Sequence, residues 1–106
     1  MEVKQYSVYW VNLDPVIGSE VNKTRPCVVI SPDEMNKYLK TVIIAPLTHT
    51  MKNYPSRVSC TISGTDGMIM LDQIRTIDKA RLSSYISKLK KAEINEVKSV
   101  INEMLC

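Results

Sequence analysis

The chain has 106 residues, of which 44% are hydrophobic and 24% charged. This composition is typical of a globular domain and excludes a disordered tail, a collagen-like repeat and a low-complexity linker. The length predicts a single domain over residues 1–106. No apolar run approaches the ~20 residues of a membrane-spanning helix, and the first residues lack the apolar core of a signal peptide. We therefore expect a cytoplasmic protein.

The net charge is slightly positive. Fourteen basic and eleven acidic side chains leave +3, a balance that permits a polyanionic partner without requiring one. The stretch from Lys79 to Lys91 holds five basic residues and no acidic one. This stretch is either a solvated basic face or a surface that follows a phosphate backbone.

Three cysteines, Cys27, Cys60 and Cys106, cannot all pair within one chain. Cys27 and Cys60 stand among apolar and β-branched residues, which favours burial as small hydrophobes. Cys106, at the C-terminus, is expected to be an exposed thiol. There is no Cys-x-x-Cys motif, and the single His49 has no Cys or His at metal-ligand spacing. We expect no structural zinc site, and no metal or other cofactor.

The first two-thirds of the chain is predicted to form short strands separated by turns. Apolar and β-branched runs predict strands at 6–13, 27–30, 41–47, 57–63, 68–74 and 85–89. The run at 27–30 is wholly apolar, which indicates burial on both faces. Between strands, Ser31 as N-cap, Pro32 and Glu34 predict a capping box and a short helix to about Leu39. The sequence Thr65-Asp66-Gly67 predicts a turn before the next strand.

The last segment is predicted to form an amphipathic helix. Ile94, Val97, Ile101 and either Met104 or Leu105 form one apolar stripe at helical spacing. The helix begins near Ala92, where no good N-cap residue precedes it. Short strands with a small internal helix and a C-terminal helix indicate a compact, strongly bent barrel, although periodicity does not give its topology.

The chain lacks the common catalytic motifs, since it has no Gly-x-Ser-x-Gly, Walker loop or metal cluster. Its polar residues concentrate instead in the segments 14–25 and 46–50, next to apolar strands. Polar residues in such a place more often form a turn with satisfied hydrogen bonds than a functional site. Rigid strands can nevertheless hold reactive groups there.

Several motifs, taken together and in order, carry a family resemblance. They are Val11-Asn12-Leu13-Asp14-Pro15, Gly18-Ser19-Glu20, the segment from Lys23 to Ser31, Ala45-Pro46-Leu47-Thr48, and the segment from Leu71 to Asp78. From about Val8 to Leu105 the chain resembles the MazF/PemK toxin endoribonucleases. The resemblance implies a mainly β fold, an SH3-like β-barrel of the CcdB/PemK type with a C-terminal helix. It also implies a homodimer silenced by a protein antitoxin of the MazE type.

The resemblance implies roles for particular residues. Arg25 and Thr48 match the catalytic pair, and Glu20 matches a loop carboxylate that has been proposed as the base. The implied reaction is metal-independent cleavage of single-stranded RNA, in which the ribose 2′-oxygen attacks the adjacent phosphorus. The products carry a 2′,3′-cyclic phosphate and a 5′-hydroxyl.

Physical chemistry limits these roles. The planar guanidinium of Arg25 matches two phosphate oxygens of a phosphorane-like transition state, so it is a stabiliser rather than a base. The hydroxyl of Thr48 can orient the phosphate or donate to it. Glu20 is either the base or a solvated loop carboxylate. Histidine is a common acid–base residue and His49 adjoins Thr48, but an RNA contact is a better prediction for it than catalysis because strand neighbours face opposite sides.

Further residues are predicted to bind RNA. Ser19, Lys23 and Thr24 match the loop that contacts the RNA backbone in relatives. Tyr54 either stacks on a base or packs against the rim of the barrel.

The segment from Asp72 to Asp78 leaves alternatives open. Gln73 and Arg75 are RNA-binding candidates, although Arg75 equally suits an ion pair with Asp78. Asp72 matches a catalytic Asp of the Kid/PemK branch, but Met70 replaces the Arg that accompanies it there.

Two alternatives to a nuclease share the fold. The first is a gyrase poison of the CcdB type, whose function depends on a C-terminal Trp-Gly-Ile. This chain ends in Met104-Leu105-Cys106, and its one tryptophan is Trp10. The second is a non-catalytic RNA-binding module, which the presence of Arg25 and Thr48 argues against.

Overall fold

The computed structural model describes residues 2–13 and 24–106. These residues form strands β1 to β7 and helices α1 and α2. The strands are β1 (Ser7–Asn12), β2 (Thr24–Val29), β3 (Thr41–Thr48), β4 (Arg57–Ile62), β5 (Thr65–Met70), β6 (Arg75–Asp78) and β7 (Leu82–Lys88). The helices are α1 (Asp33–Tyr38) and α2 (Lys91–Leu105), with single 3-10 turns at Leu71–Gln73 and Lys79–Arg81.

The strands form one antiparallel sheet in the order β4-β5-β3-β2-β1-β7, with β6 also paired to β3. One edge of β3 pairs with β2, and the other edge is divided between two strands. Residues 41–44 pair with β6, whereas Leu47 and Thr48 pair with β5. This division bends the sheet into a half-barrel. The prediction of a mainly β barrel with a short internal helix and a C-terminal helix is confirmed.

Two apolar clusters pack against opposite faces of β2. Val28 belongs to the first cluster, whereas its neighbours Cys27 and Val29 belong to the second. Because successive strand side chains point to opposite faces, the apolar run at 27–30 is explained by burial on both sides. The first cluster also includes residues of β3, β4, β5 and α2, and the second includes residues of β1, β3, β6 and β7.

The capping box predicted for α1 is wrong. The N-cap position is Pro32, and no side chain caps the helix. Ser31 is buried instead, where its Oγ donates to Asn36 Oδ1 and accepts from the backbone N–H of Ile43 at 3.0 Å. Asn36 Nδ2 donates to the carbonyl of Ser31 at 2.8 Å. Through these bonds Ser31 connects α1 to β3 instead of capping the helix.

The turn predicted at Thr65-Asp66-Gly67 is also wrong, because those residues begin β5. The hairpin between β4 and β5 turns at Ser63 and Gly64, whose φ angles are 50° and 78°. Positive φ at both central residues matches a type I′ turn, which suits the twist of paired strands. The strand predicted at 68–74 ends at Met70, and β6, which the sequence did not indicate, follows a 3-10 turn.

Helix α2 is fastened at its start by one carboxylate. Glu93 Oε1 accepts from the N–H of Lys90 at 2.8 Å, and Glu93 Oε2 accepts from the N–H of Thr61 at 2.9 Å. The predicted apolar stripe is confirmed, since Val97 is fully buried and Ile94 and Ile101 pack against the first cluster. Glu93 therefore provides the hydrogen bond at the start of α2 for which the sequence offers no good N-cap residue.

The cysteines lie as expected. Cys27 and Cys60 are buried and Cys106 is exposed. Burial raises the pKa of both the Cys27 and the Cys60 thiol to about 12, so neither forms a thiolate at neutral pH. In the described part of the chain no helix is long and apolar enough to cross a membrane.

Candidate active site

The polar residues Arg25 and Thr48 lie where β2 begins and β3 ends. The two strands pair with Cys27 opposite Pro46, and extending this antiparallel register by two residues brings Arg25 opposite Thr48. Cys27 of β2 and Ile44 of β3 belong to the second cluster. Since side chains two or four residues apart share a face, Arg25 and Thr48 lie on one face of the sheet.

A groove of about 420 Å³ opens at these strand ends, which is the size range of small-ligand sites. Its floor is apolar, and its border carries polar residues. The floor is formed by Trp10, Pro26, Leu47, Ile62 and Ile86, and the border by Thr24, Arg25, Thr48, His49, Ser63, Thr65, Asp66 and Gly67. Four of the residues predicted to be catalytic or to contact RNA, Thr24, Arg25, Thr48 and His49, thus line this border.

The hydroxyl of Thr48 is oriented by the backbone. The N–H of Thr50 donates to Thr48 Oγ1 at 3.2 Å. A hydroxyl that accepts this bond keeps its own hydrogen to donate elsewhere. The arrangement suits donation to an anionic oxygen in the groove.

Arg25 is half-buried, and its positive charge acts on the Cys27 thiol. Burial raises the pKa of Cys27 to about 12, and the positive charges of Arg25 and Arg75 act in the opposite direction. Arg25 therefore brings a positive charge to the groove border over an apolar layer, where charge interactions are stronger than in water.

Gly67 allows β5 to approach Thr48 closely. A Cβ atom at Gly67 would lie 3.0 Å from the carbonyl oxygen of Thr48, which is tighter than ordinary contact. The absence of a side chain at Gly67 therefore helps to set where Thr48 lies.

Replacing Gly67 by alanine is expected to lower kcat about 3- to 10-fold, because a displacement of a few tenths of an ångström at Thr48 misplaces its hydroxyl. Single-turnover cleavage of a labelled RNA measures this loss. Gly64→Ala is the matched control: its φ is 78° but no atom lies within 4 Å of the added Cβ, so it should cost stability and leave kcat unchanged. Equal kcat values for Gly67→Ala and the wild type would show that this approach does not position Thr48.

A family model described as "PemK-like, MazF-like toxin of type II toxin-antitoxin system" matches residues 4–105. The chain belongs to this family. The resemblance carried by the sequence motifs is therefore confirmed, and it extends slightly beyond the predicted N-terminal limit at Val8.

Curated relatives and solved structures agree with the family model. Endoribonuclease MazF of Staphylococcus saprophyticus is 37% identical over 106 residues, covering 94% of this chain and 88% of that protein. Endoribonuclease EndoA of Bacillus subtilis is 37% identical over 103 residues, covering 92% and 89%. The MazE-MazF structure (Form-II) from Deinococcus radiodurans has a TM-score of 0.87 at 24% identity, covering 99% of this chain and 96% of that one. An endoribonuclease in complex with its cognate antitoxin from a mycobacterial species has a TM-score of 0.84 at 22% identity, covering 97% and 94%.

Tyr54 lies away from the groove of this MazF-like chain. The guanidinium of Arg57 covers its ring at 4.9 Å from the centroid, and Arg57 Nε pairs with Asp72 Oδ1 at 3.4 Å. Ser56 Oγ donates to the same carboxylate oxygen at 3.0 Å. Partial burial raises the pKa of Asp72, but the hydrogen bonds from its backbone N–H, Ser56 and Arg57 outweigh this and hold it below its usual value. Asp72 therefore anchors the segment before β4, and Tyr54 stacks on Arg57.

The remaining family-matched residues occupy other places. Gln73 is exposed in a 3-10 turn whose first residue, Leu71, is buried, and Arg75 begins β6 opposite Ile44; neither Gln73 nor Arg75 lines the groove. Within residues 2–13 and 24–106, Arg75 and Asp78 form no ion pair. Asp78 Oδ1 accepts instead from the N–H of Ala80 at 2.8 Å.

Three predicted residues cannot be placed. Glu20, Ser19 and Lys23 lie outside the described residues. Among those described, no group of three or more His, Cys, Asp or Glu side chains could hold a metal ion.

The sequence did not single out Trp10 or the turn between β4 and β5 as part of the site. Trp10 lies in an ordinary strand pattern, and only the pairing of β3 with β5 brings Ser63, Thr65 and Gly67 beside Thr48. A tryptophan directly before the Val11-Asn12-Leu13-Asp14-Pro15 motif was the one available signal.

Proposed function

We propose that this chain is the toxin of a toxin–antitoxin system and a sequence-specific endoribonuclease that cleaves single-stranded mRNA in the cytoplasm. The observation that carries the proposal is the groove border formed by Arg25 and Thr48. The named endoribonuclease activity of relatives at 37% identity supports it.

The chemistry follows from the groove border. A 2′-hydroxyl attack on phosphorus concentrates negative charge on the non-bridging oxygens. The guanidinium of Arg25 can donate to two of them, and Thr48, whose hydroxyl hydrogen is available, can donate to one. This stabilisation needs no metal ion. The products would be a 2′,3′-cyclic phosphate and a 5′-hydroxyl.

The proton of the 2′-hydroxyl requires an acceptor. Glu20, from the segment that precedes Lys23, is the proposed base by family resemblance. His49 lines the same groove and is exposed, and we propose that it contacts RNA. Thr24, beside Arg25, is proposed to contact the RNA backbone with Ser19 and Lys23.

We also propose a homodimer and a MazE-type protein antitoxin. Solved structures of similar fold contain a cognate antitoxin or MazE. A peptide of acidic and apolar side chains would suit this groove, because its floor is apolar and its border carries Arg25. Occupation of the groove would exclude RNA without altering any catalytic side chain.

The test is incubation of the purified protein with a long end-labelled RNA in the presence of EDTA. We expect cleavage at one recurring sequence, with fragments that end in 2′,3′-cyclic phosphate. A matched RNA with a single 2′-deoxynucleotide on the 5′ side of the cut should resist cleavage there. Cleavage of that RNA would refute 2′-oxygen attack. Inertness towards a broad RNA pool, combined with inhibition of gyrase, would replace the proposal with a poison of the CcdB type.

A further inference from the structure

Two prolines stand inside central strands of the sheet. Pro26 belongs to β2 and Pro46 to β3, and both strands have neighbours on each side in the order β5-β3-β2-β1. Because proline has no N–H to donate, it is normally confined to edge strands, to the first residue of a strand or to bulges. Pro26 directly follows Arg25, and Pro46 comes two residues before Thr48. Each proline therefore adjoins one member of the proposed catalytic pair.

The N–H that Pro26 lacks would face β3. At the other end of β2, the N–H of Ile30 donates to the carbonyl of Ile43 at 2.9 Å. Backbone groups two residues apart in a strand point to the same neighbouring strand, so the N–H groups at positions 28 and 26 also face β3. Val28 pairs with β3 accordingly. The next donor would come from position 26, opposite Leu47, and proline supplies none.

Pairing between β2 and β3 stops where this donor is missing. Among the described residues of β2, pairing with β3 begins only at Cys27, opposite Pro46, whereas pairing with β1 continues to Thr24, opposite Asn12. The residues of β2 before Cys27 are thus held on one side only. A frayed strand end would lose both neighbours, so the loss of β3 alone is the result expected from one absent backbone donor.

The catalytic pair lies across this opening. Arg25 is held by β1 through its pair with Val11, and Thr48 is held by β5 through its pair with Met68. If the ladder continued, Arg25 and Thr48 would form a cross-strand pair with Cα atoms about 4.5 Å apart. The groove is lined from both sides of the opening, by Thr24, Arg25 and Pro26 on one side and by Leu47, Thr48 and His49 on the other.

We propose that Pro26 is a positioning residue for Arg25 and Thr48. By withholding one backbone donor it ends the ladder between β2 and β3, and this keeps the guanidinium and the hydroxyl far enough apart to admit a phosphate. The inference rests on the proposed function, since it concerns the two residues that hold the phosphate that is cut. It gives Pro26 a role in catalysis without contact with the RNA.

Pro46 applies the same device to the other edge of β3. Its neighbours two residues away pair with different strands, Ile44 with β6 and Thr48 with β5. The N–H that Pro46 lacks would face the point where β3 changes partner. The missing donor therefore lets β5 take over from β6 and hold Thr48 from the side away from Arg25.

The test restores the donor at position 26. Pro26→Ala should form the bond to the carbonyl of Leu47, so its new amide hydrogen should exchange slowly. We expect kcat to fall about 10- to 100-fold, more than KM changes, because a displacement on the order of 1 Å misplaces a catalytic group. The unfolding midpoint should change little, since the added hydrogen bond offsets the greater freedom of the unfolded chain. Single-turnover cleavage, hydrogen exchange and urea unfolding measure these effects.

Two controls separate the missing donor from the proline ring. N-methylalanine at position 26 has no N–H and no ring, and it should keep the wild-type kcat. The full chain can be assembled with it by native chemical ligation, because Cys27 directly follows the altered position. Pro55→Ala removes an exposed proline that lies outside the strands, and it should leave kcat unchanged.

The outcomes distinguish this inference from the proposed function. If the wild type cleaves RNA and Pro26→Ala has a slowly exchanging amide but a normal kcat, the positioning role is wrong and the nuclease stands. Fast exchange at position 26, or equal losses of kcat for Pro26→Ala and the N-methylalanine chain, would also overturn the role of the missing donor. If the wild type cuts no RNA, the proposed function fails, and slow exchange in Pro26→Ala would still show that Pro26 holds the two strands apart.

Discussion

Replacing Arg25 by alanine is expected to lower kcat for RNA cleavage by about 10²- to 10³-fold, the usual loss when one preorganised donor to a developing oxyanion is removed. The physical reason is that Arg25 opposes charge that grows only in the transition state, so KM should change much less than kcat. The measurement is single-turnover cleavage of an oligonucleotide that carries the mapped cut sequence. Circular dichroism of the variant establishes that it is folded.

Two further variants distinguish direct contact between Arg25 and the phosphate from a general effect of positive charge. Arg25→Lys keeps the positive charge but loses the planar fork, so its kcat should fall between those of Arg25→Ala and the wild type. Arg75→Ala removes the same charge from β6, outside the groove border, and should act mainly on KM as the loss of an RNA-backbone contact. Equal losses of kcat for Arg25→Ala and Arg75→Ala would show that Arg25 acts through its distant field alone.

Replacing Asn36 by alanine is expected to lower the free energy of unfolding by about 2–4 kcal/mol, because it strips hydrogen-bond partners from the buried Ser31. The carbonyl and the hydroxyl of Ser31 both bond to Asn36, and no water reaches this place easily, since Asn36 is 2% exposed. Urea unfolding followed by circular dichroism measures the change. Without Asn36, the Ser31 hydroxyl should also hold the N–H of Ile43 less firmly. Because these bonds connect α1 to β3, we expect the amide hydrogens of α1 to exchange faster.

Glu34→Ala is the matched control on the same helix. A capping box would use Glu34, whereas the structure gives its side chain no capping bond. We expect Glu34→Ala to cost well under 1 kcal/mol, in the range of an exposed charge near a helix start. A loss as large as that of Asn36→Ala would mean that the capping box forms in solution.

Local patterns predicted the elements whose formation depends on their own residues. The stripe of Ile94, Val97 and Ile101 placed α2, and the apolar run from Cys27 to Val29 predicted a strand buried on both faces. Prediction failed where two local options compete. Ser31 has the chemistry of an N-cap, but Asn36 and the N–H of Ile43 take its hydroxyl instead.

The candidate site was only partly predictable for a related reason. Arg25 and Thr48 came from motifs, and both border the groove. Tyr54, which composition suggested as a stacking residue, is covered by Arg57. The apolar floor of the groove, which includes Trp10, could not be predicted from the sequence, because pairings between strands far apart in the chain create it.

The groove is built from strands that lie far apart in the sequence. Trp10 comes from the first strand and the border residues Ser63 and Thr65 come from the hairpin in the middle. Ile86 comes from the last strand, just before the helix that Glu93 fastens to β4. A ribosome making this protein therefore completes the groove only after it has synthesised β7. A shortened chain that lacks β7 would lack Ile86, and we expect it to leave one part of the groove floor missing.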